Sequence, residues 1–354
     1  MPPRITFIIG NGFDLGLGMR TSYVHFYKDT LSTLEKDDNP IIKEIIRIFE
    51  TDDEAGQALW SDLEKALGSY VPNEEYSDLD YISAITGIIS HLQNHLSKEQ
   101  EKVSLGTVKD IAEQMINAII HFHDIGNNLT PNDMRRVQSA INSCLGSIEY
   151  SFISFNYTDT FDKCVRIMKA TKPDITHVHG NTRYNDKIGD VFHVHGRINE
   201  GIILGVDNNK QIIDPRWNKS SHMQRTLVKT SLNGIQGSDR TALAETMINE
   251  SVIIILYGLS LGETDQRWWK RIFNWLNGSS NRVLIIAQHY DLTPEEKVRL
   301  SIPNEMYLKQ NEGAQSFIKA AALSTEEWNK VSDRVIFTQN PNWFSFSKDD
   351  KTNS

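Results

Sequence analysis

The sequence predicts an α/β chain: a mostly parallel sheet interrupted, after its first strand and turn, by a large helical insertion. Three observations lead there. Short apolar runs end in glycine, asparagine or serine loops and give way to helical spacing, the alternation of βα units. Most of those runs are apolar throughout, as strands covered on both faces are. The block 22–146, between the first run and the second, carries helical periodicity only.

In chain order, Arg4–Ile9 reads as a buried strand and leads into GNGFDLGLGMRTSY at 10–23. Ser22 or Thr21 is placed to cap a helix carrying Tyr23, Phe26, Tyr27 and Leu31. Helical spacing recurs over Ile41–Phe49, Ala55–Tyr70, Tyr81–Leu96, Val108–Ile125 and Asp133–Leu145. Strand-like runs return at Glu149–Phe155, Asp174–Val178, Val191–Val194, Ile202–Val206, Val252–Tyr257 and Val283–Ala287. Helices are expected between and after them, over Thr158–Lys169, Arg240–Asn249, Asp265–Leu276, Pro294–Leu300 and Ala314–Ala321.

A chain of 354 residues has room for about two domains. The expected division is a discontinuous nucleotide-binding domain over 1–21 and 147–346, a helical insertion or cap over 22–146, and a polar, frayed tail over 347–354. Lysine and arginine total 37 against 46 acidic residues, a net charge of -9, which argues against an extended nucleic-acid surface. The two cysteines, Cys144 and Cys164, form no CxxC pair, so neither a disulfide framework nor a cysteine-rich zinc site is expected. No apolar run approaches the roughly 20 residues of a bilayer span. The start, Met-Pro-Pro-Arg into a strand, has no signal-peptide pattern, so a cytoplasmic protein without membrane contact is expected.

Four stretches carry the residue types of a ligand site. Gly10 and Gly12 follow a buried strand, where a Rossmann-like sheet places its phosphate turn, although the spacing is not G-x-G-x-x-G. Taken alone, the loop fits a nucleotide or an ordinary tight turn equally well. Asn156 ends the run SFN, facing the same crevice or merely closing its turn. HVHG occurs twice, at 177–180 and 193–196; a His before Gly can face a cleft as a general base. Four alternating histidines also admit a metal site, or simply satisfied histidines in a hairpin. In YGLSLGETD at 257–265, Ser260 is placed to hold a ribose or phosphate, while Thr264 or Asp265 caps the next helix and Trp268 and Trp269 pack.

These stretches, in this order, resemble the AbiH family of bacteriophage abortive-infection proteins. The matching pieces are GNGFDLGLGMRTSY, Trp60-Ser61-Asp62-Leu63-Glu64, FNYT at 155–158, VHG with ILGVD at 194–207, and YGLSLGETD. More distantly, the series is similar to sirtuin-like NAD-binding domains. Gly10-Asn11-Gly12 stands where that fold has GAG, and Gly18-Met19-Arg20 where it has a GIP turn. Asn156 matches its catalytic Asn, His195 its catalytic His (with His179 competing), and Gly258-Leu259-Ser260-Leu261 its G-x-S-L turn. The departures are Asn11 for a small Ala, a GIP turn without its Pro, and Thr158 where Asp is common. The four-cysteine zinc module of the protein deacetylases is missing, so the resemblance points to the zinc-free members that hydrolyse NAD.

That resemblance implies an anti-phage effector that hydrolyses NAD to nicotinamide and ADP-ribose. Asn156 and His195 would be catalytic. Gly10, Asn11, Gly12, Asp14, Gly18, Thr21, Gly258, Ser260 and Asp265 would hold the nucleotide, and no metal is expected. A phage-derived trigger and a homo-oligomer are the other partners it admits. A nucleotide sensor that binds NAD or ADP-ribose without turnover is the alternative, and a nuclease a third.

Overall fold

The computed structural model describes residues 2–50, 63–123, 129–235, 240–287, 303–338, 343, 344 and 346. Its centre is a six-stranded sheet made of β1 (Arg4–Ile9), β2 (Glu149–Ser154), β5 (Lys187–His193), β8 (Ser251–Tyr257), β9 (Val283–Ala287) and β10 (Val335–Thr338). The order is β10-β9-β8-β1-β2-β5 and every pairing is parallel. Counted within the sheet, this is the 3-2-1-4-5-6 order of a dinucleotide-binding fold. The direction of winding reverses between β1 and β8, and a crevice opens there at the strands' carboxyl ends. The expected α/β, Rossmann-like class is therefore what the chain adopts.

The central strands β1, β8 and β9 are largely apolar because each alternate residue meets a different layer of helices. Ile5, Phe7, Phe152, Ile253 and Ile285 face the helices Val108–Ile119, Pro131–Asn142 and Thr160–Ala170. Ile8, Ile153, Ile254, Leu256 and Leu284 face Arg240–Glu250, Gln266–Asn277 and Phe317. A separate apolar cluster joins Phe26, Ile41, Leu67, Tyr81 and Leu92 to Leu204, Trp217, Met223 and Leu227. At its heart Tyr81 stacks on Trp217 with ring centroids 4.1 Å apart. The helices over 108–142 thus pack on the sheet, whereas those over 23–102 share a core with the segment 202–228.

Several elements differ from expectation. The run at Asp174–Val178 does not enter the main sheet: β3 (Thr176–His179) pairs antiparallel with β4 (Thr182–Asn185) in a hairpin of its own. The run Ile202–Val206 is a strand only at β7 (Gly201–Ile202), paired with β6 (Gly196–Arg197), and then forms a single bridge from Val206 to Val228. Its strand is cut short where the backbone at Gly205 comes so close to Leu227 that an added Cβ would lie 2.0 Å from the Leu227 carbonyl oxygen. Short helices at Pro215–Lys219, Ser221–Leu227 and Lys229–Ile235, and the edge strand β10, were not anticipated. The helix expected at Ala314–Ala321 begins at Pro303. Pro294–Leu300, the start of Ala55–Tyr70 and the tail 347–354 lie outside the described residues. Among the described residues, no helix is long and apolar enough to cross a membrane.

Candidate functional site

A cavity of about 580 Å³ lies at the carboxyl ends of β2, β1, β8 and β9, within the size range of small-molecule sites. Neighbouring strands stand ~4.8 Å apart, so this crevice runs roughly 14 Å from the β2 end to the β9 end. Gly10, Asn11, Gly12, Asp14, Thr21, Asn156, His195, Gly258, Ser260 and Asp265 all line it. Gly18 does not: at φ +82° it turns the chain after Gly12–Gly16, donating its N–H to the Leu15 carbonyl. Tyr23, Glu64, Leu92 and Leu96 roof the cavity from the helical region, and Glu312, Gly313 and Ser316 close the β9 side.

At the β2 end, polar groups are buried and left unpaired. Asn156 is 5% exposed and His195 4%, yet neither the amide atoms of the first nor the ring nitrogens of the second have a hydrogen-bond partner. His195 Nε2 lies 3.2 Å from Asp265 Oδ1, near enough for an ion pair but off the line of a hydrogen bond. Its ring meets Phe155 edge-on, with centroids 4.9 Å apart, and Phe155 in turn stacks on Trp269. Trp269, expected only to pack, also lines the cavity. An unpaired buried polar atom costs ~1–3 kcal/mol, so several in one cavity are groups that a bound ligand would be able to pair.

Asp14 stands beside them, 1% exposed. Its Oδ2 accepts from Thr158 Oγ1 at 2.6 Å, while Oδ1 has no partner. Thr158 is thereby drawn away from capping the next helix, where Asp159 holds the N-cap position without a side-chain bond. Burial pushes the Asp14 carboxyl up to about 7, and the Thr158 bond and the nearby His193 only partly offset it. The folded chain therefore holds this proton more tightly than the unfolded chain, whose Asp titrates near ~3.9. The stability contributed by the protonated form is complete below about 4 and is lost as pH rises to about 7. Asp14→Asn is expected to flatten that slope and to stabilise most above pH 7, by an amount on the order of a few kcal/mol. Urea unfolding of both proteins from pH 4 to 8 measures it; parallel curves would contradict the assignment.

The glycines serve a purpose the sequence reading did not foresee. A Cβ on Gly10 would lie 2.5 Å from the Gly258 carbonyl oxygen, and one on Gly12 2.5 Å from Gly258 Cα. The amides of Gly10 and Gly12 donate to Tyr257 O and Gly258 O, both at 2.8 Å. The β1 and β8 loops therefore bind each other across the switch point, and the glycines permit that approach. Asn11 and Thr21 likewise bond each other, Thr21 Oγ1 donating to Asn11 Oδ1 at 2.6 Å. Leu261, on the β8 loop, takes a φ of +51°, a conformation rare for a bulky residue and concentrated at ligand loops.

A buried charge cluster adjoins His195. Lys229 Nζ lies 2.7 Å from Glu64 Oε2 and 2.9 Å from Asp265 Oδ1. Tyr157 donates to Glu64 Oε1 at 3.3 Å, and Tyr23 stands 3.4 Å from Tyr157. Burial disfavours the Asp265 charge, but Lys229 and His195 outweigh it and hold the carboxyl below its usual range. Burial raises Glu64, with Lys229 opposing and Asp265 adding to the effect. Asp265 occupies the N-cap position of Gln266–Asn277 but makes no side-chain cap bond, its carboxylate being turned to Lys229. Glu64, Tyr157, Tyr23 and Lys229 were not foreseen as site residues. The first two sit in the WSDLE and FNYT stretches, but nothing in the sequence marks Lys229.

The other three histidines of the HVHG stretches are held by structural partners. His177 pairs with Asp186 at 2.8 Å, and His193 with Asp162 and the Asn156 carbonyl, both at 2.8 Å. His179 bonds the Asn142 carbonyl in the β3–β4 hairpin. The two HVHG stretches do not form a shared ligand set, because β3 and β5 belong to different sheets. Among the described residues no three His, Cys, Asp or Glu side chains are grouped to hold a metal ion.

Residues 6–287 match the family model described as bacteriophage abortive infection AbiH. The span runs from β1 to the end of β9 and takes in the whole cavity except the three residues from Pro303–Ala320. No curated protein matches the chain significantly. With well over half of its length matched, and with the site inside the matched span, the chain belongs to the AbiH family of bacteriophage abortive-infection proteins.

Proposed function

We propose that this protein is an abortive-infection effector that hydrolyses NAD to nicotinamide and ADP-ribose. The observation carrying this reading is the set of unpaired buried groups, Asn156, His195 and Asp14 Oδ1, at one end of a switch-point cavity. In NAD the nicotinamide is a cationic pyridinium. When the C1′–N bond breaks, its electron pair stays on the ring nitrogen and nicotinamide departs neutral, so no general acid is needed. The ribose left behind is a developing oxocarbenium cation. Glu64 and Asp265, two carboxylates against the single Lys229 ammonium, suit that charge. A water then bonds to C1′ and gives up its proton to His195, with Asn156 holding the water or the ribose hydroxyls. Ser260 and the β8 loop lie toward the β9 side, where the adenosine half would extend.

The test is nicotinamide release from NAD by the purified protein, and NAD content in phage-infected cells that carry it. Loss of NAD with stoichiometric nicotinamide is the expected result. Intact NAD both in the purified reaction and in infected cells overturns the reading. NAD that is bound but never cleaved identifies a sensor instead. That second reading draws on Glu64, which ties the helical region directly to the cavity.

A further inference from the structure

Lys229 opens the helix Lys229–Ile235, is 4% exposed, and takes no proton in the chemistry above. Its ammonium is surrounded by Glu64, Asp265 and the Thr264 carbonyl, at 2.7, 2.9 and 3.3 Å. We propose that Lys229 is a positioning residue: it clamps Asp265 against His195 and fastens the helical region's Glu64 to the same point. The catalytic half of this role rests on NAD hydrolysis at the cavity, whereas the clamp itself does not.

The geometry makes Lys229 the hinge of the arrangement. Asp265 Oδ1 is shared between the Lys229 ammonium at 2.9 Å and His195 Nε2 at 3.2 Å. Its side chain is withheld from the helix cap that an N-terminal Asp usually makes. Glu64 reaches the same ammonium from Leu63–Ser69, and its other oxygen receives Tyr157, the residue after Asn156. One lysine thus links the helical region, the β2 loop and the turn before Gln266–Asn277.

The groups facing Asp265 fix what the loss of Lys229 does. Besides Lys229 and His195 they include Glu64, Tyr23 and Tyr157, with Asp207 farther out. With the ammonium removed, Glu64 and Asp265 become two buried carboxylates facing each other, and one takes up a proton. Asp265 also loses the cation that holds it in place and opposes its burial, and with it the support that orients a general base and stabilises the imidazolium it forms.

Lys229→Met, Lys229→Arg and the charge-balanced double variant Lys229→Met with Glu64→Gln decide it. In Lys229→Met the Asp265 carboxyl carbon, followed by carbon-13 NMR, is expected to titrate at least about one pH unit higher than in the parent. kcat for NAD is expected to fall about ten-fold or more with KM nearly unchanged, and its acid limb to move up with the carboxyl. Lys229→Arg, which keeps the charge, restores both. If Lys229→Met does not fold, the double variant makes the test: the kcat loss is expected again, with a smaller upward shift of the Asp265 titration, because the Glu64 charge is removed along with the ammonium. A folded variant with unchanged Asp265 titration and unchanged kcat overturns the assignment, leaving Lys229 a packing residue. Should the parent protein not cleave NAD while the carboxyl still shifts, the clamp stands and the catalytic reading falls.

Discussion

Asn156→Ala and His195→Ala are each expected to lower nicotinamide release from NAD by about 10²- to 10⁴-fold, the usual worth of a positioned polar or proton-transfer group. Asn156 carries the sharper version, because its amide makes no well-formed hydrogen bond in the folded chain, though it stands near enough to Asp14 to lower that carboxyl slightly. Removing an unpaired buried amide relieves desolvation that the fold otherwise bears. Asn156→Ala is therefore expected to keep or raise the unfolding midpoint while activity is lost. Its backbone stays in place, since the carbonyl is held by His193 and the N–H by Ser154 Oγ at 3.2 Å. Thermal unfolding and single-turnover cleavage, run on the same preparation, measure both halves. Retained activity would falsify the catalytic assignment, and a steep loss of stability would mean that the amide has a structural partner.

Gly196→Ala is expected to destabilise the protein by about 3 kcal/mol or more, and to remove activity with it. Gly196 follows His195 at φ +75°, where a side chain costs ~1–2 kcal/mol in backbone strain alone. An added Cβ would also sit 1.9 Å from the Gly201 carbonyl oxygen, across the β6–β7 pair. The turn must open to admit it, at an overpacking cost of ~1–3 kcal/mol. Opening it moves His195, whose own carbonyl accepts from Ile203 N at 2.8 Å. Denaturant unfolding measures the cost; an unchanged midpoint with normal NAD cleavage would rule out this turn. The glycine of the His-Gly pair is thus required by backbone geometry.

The parallel strands were the most legible part of the fold. Arg4–Ile9 and Val283–Ala287 have the bounds the sequence predicted, and Glu149–Ser154 and Ser251–Tyr257 differ by a residue. A strand buried on both faces is apolar at most positions, and few other segments read that way. Thr176–His179 was legible as a strand but not as a hairpin outside the sheet, because pairing partners leave no local mark. Val335–Thr338, four residues long at the sheet edge, is too short for its pattern to stand out. In the site, Asn156, His195 and the loop glycines could be found because each follows a strand at the same end of the sheet. His195 could not be separated from His179 until the chain was folded: one faces the cavity, and the other bonds Asn142 on a hairpin.

Sequence alone determined that strand ends would gather their loops on one side, since right-handed βα units leave a parallel sheet no other choice. It determined the glycine, asparagine and histidine chemistry at those ends, and the absence of cysteine pairs. Only the tertiary structure decided that Gly10 and Gly12 are spent on Gly258, and that Glu64, Lys229 and Asp265, far apart in the chain, share one buried ammonium. The physical reason is that burial sets the value of a charge. A lysine in solvent is one of many, but a lysine enclosed with two carboxylates must answer both, and enclosure is a property of packing across the whole chain.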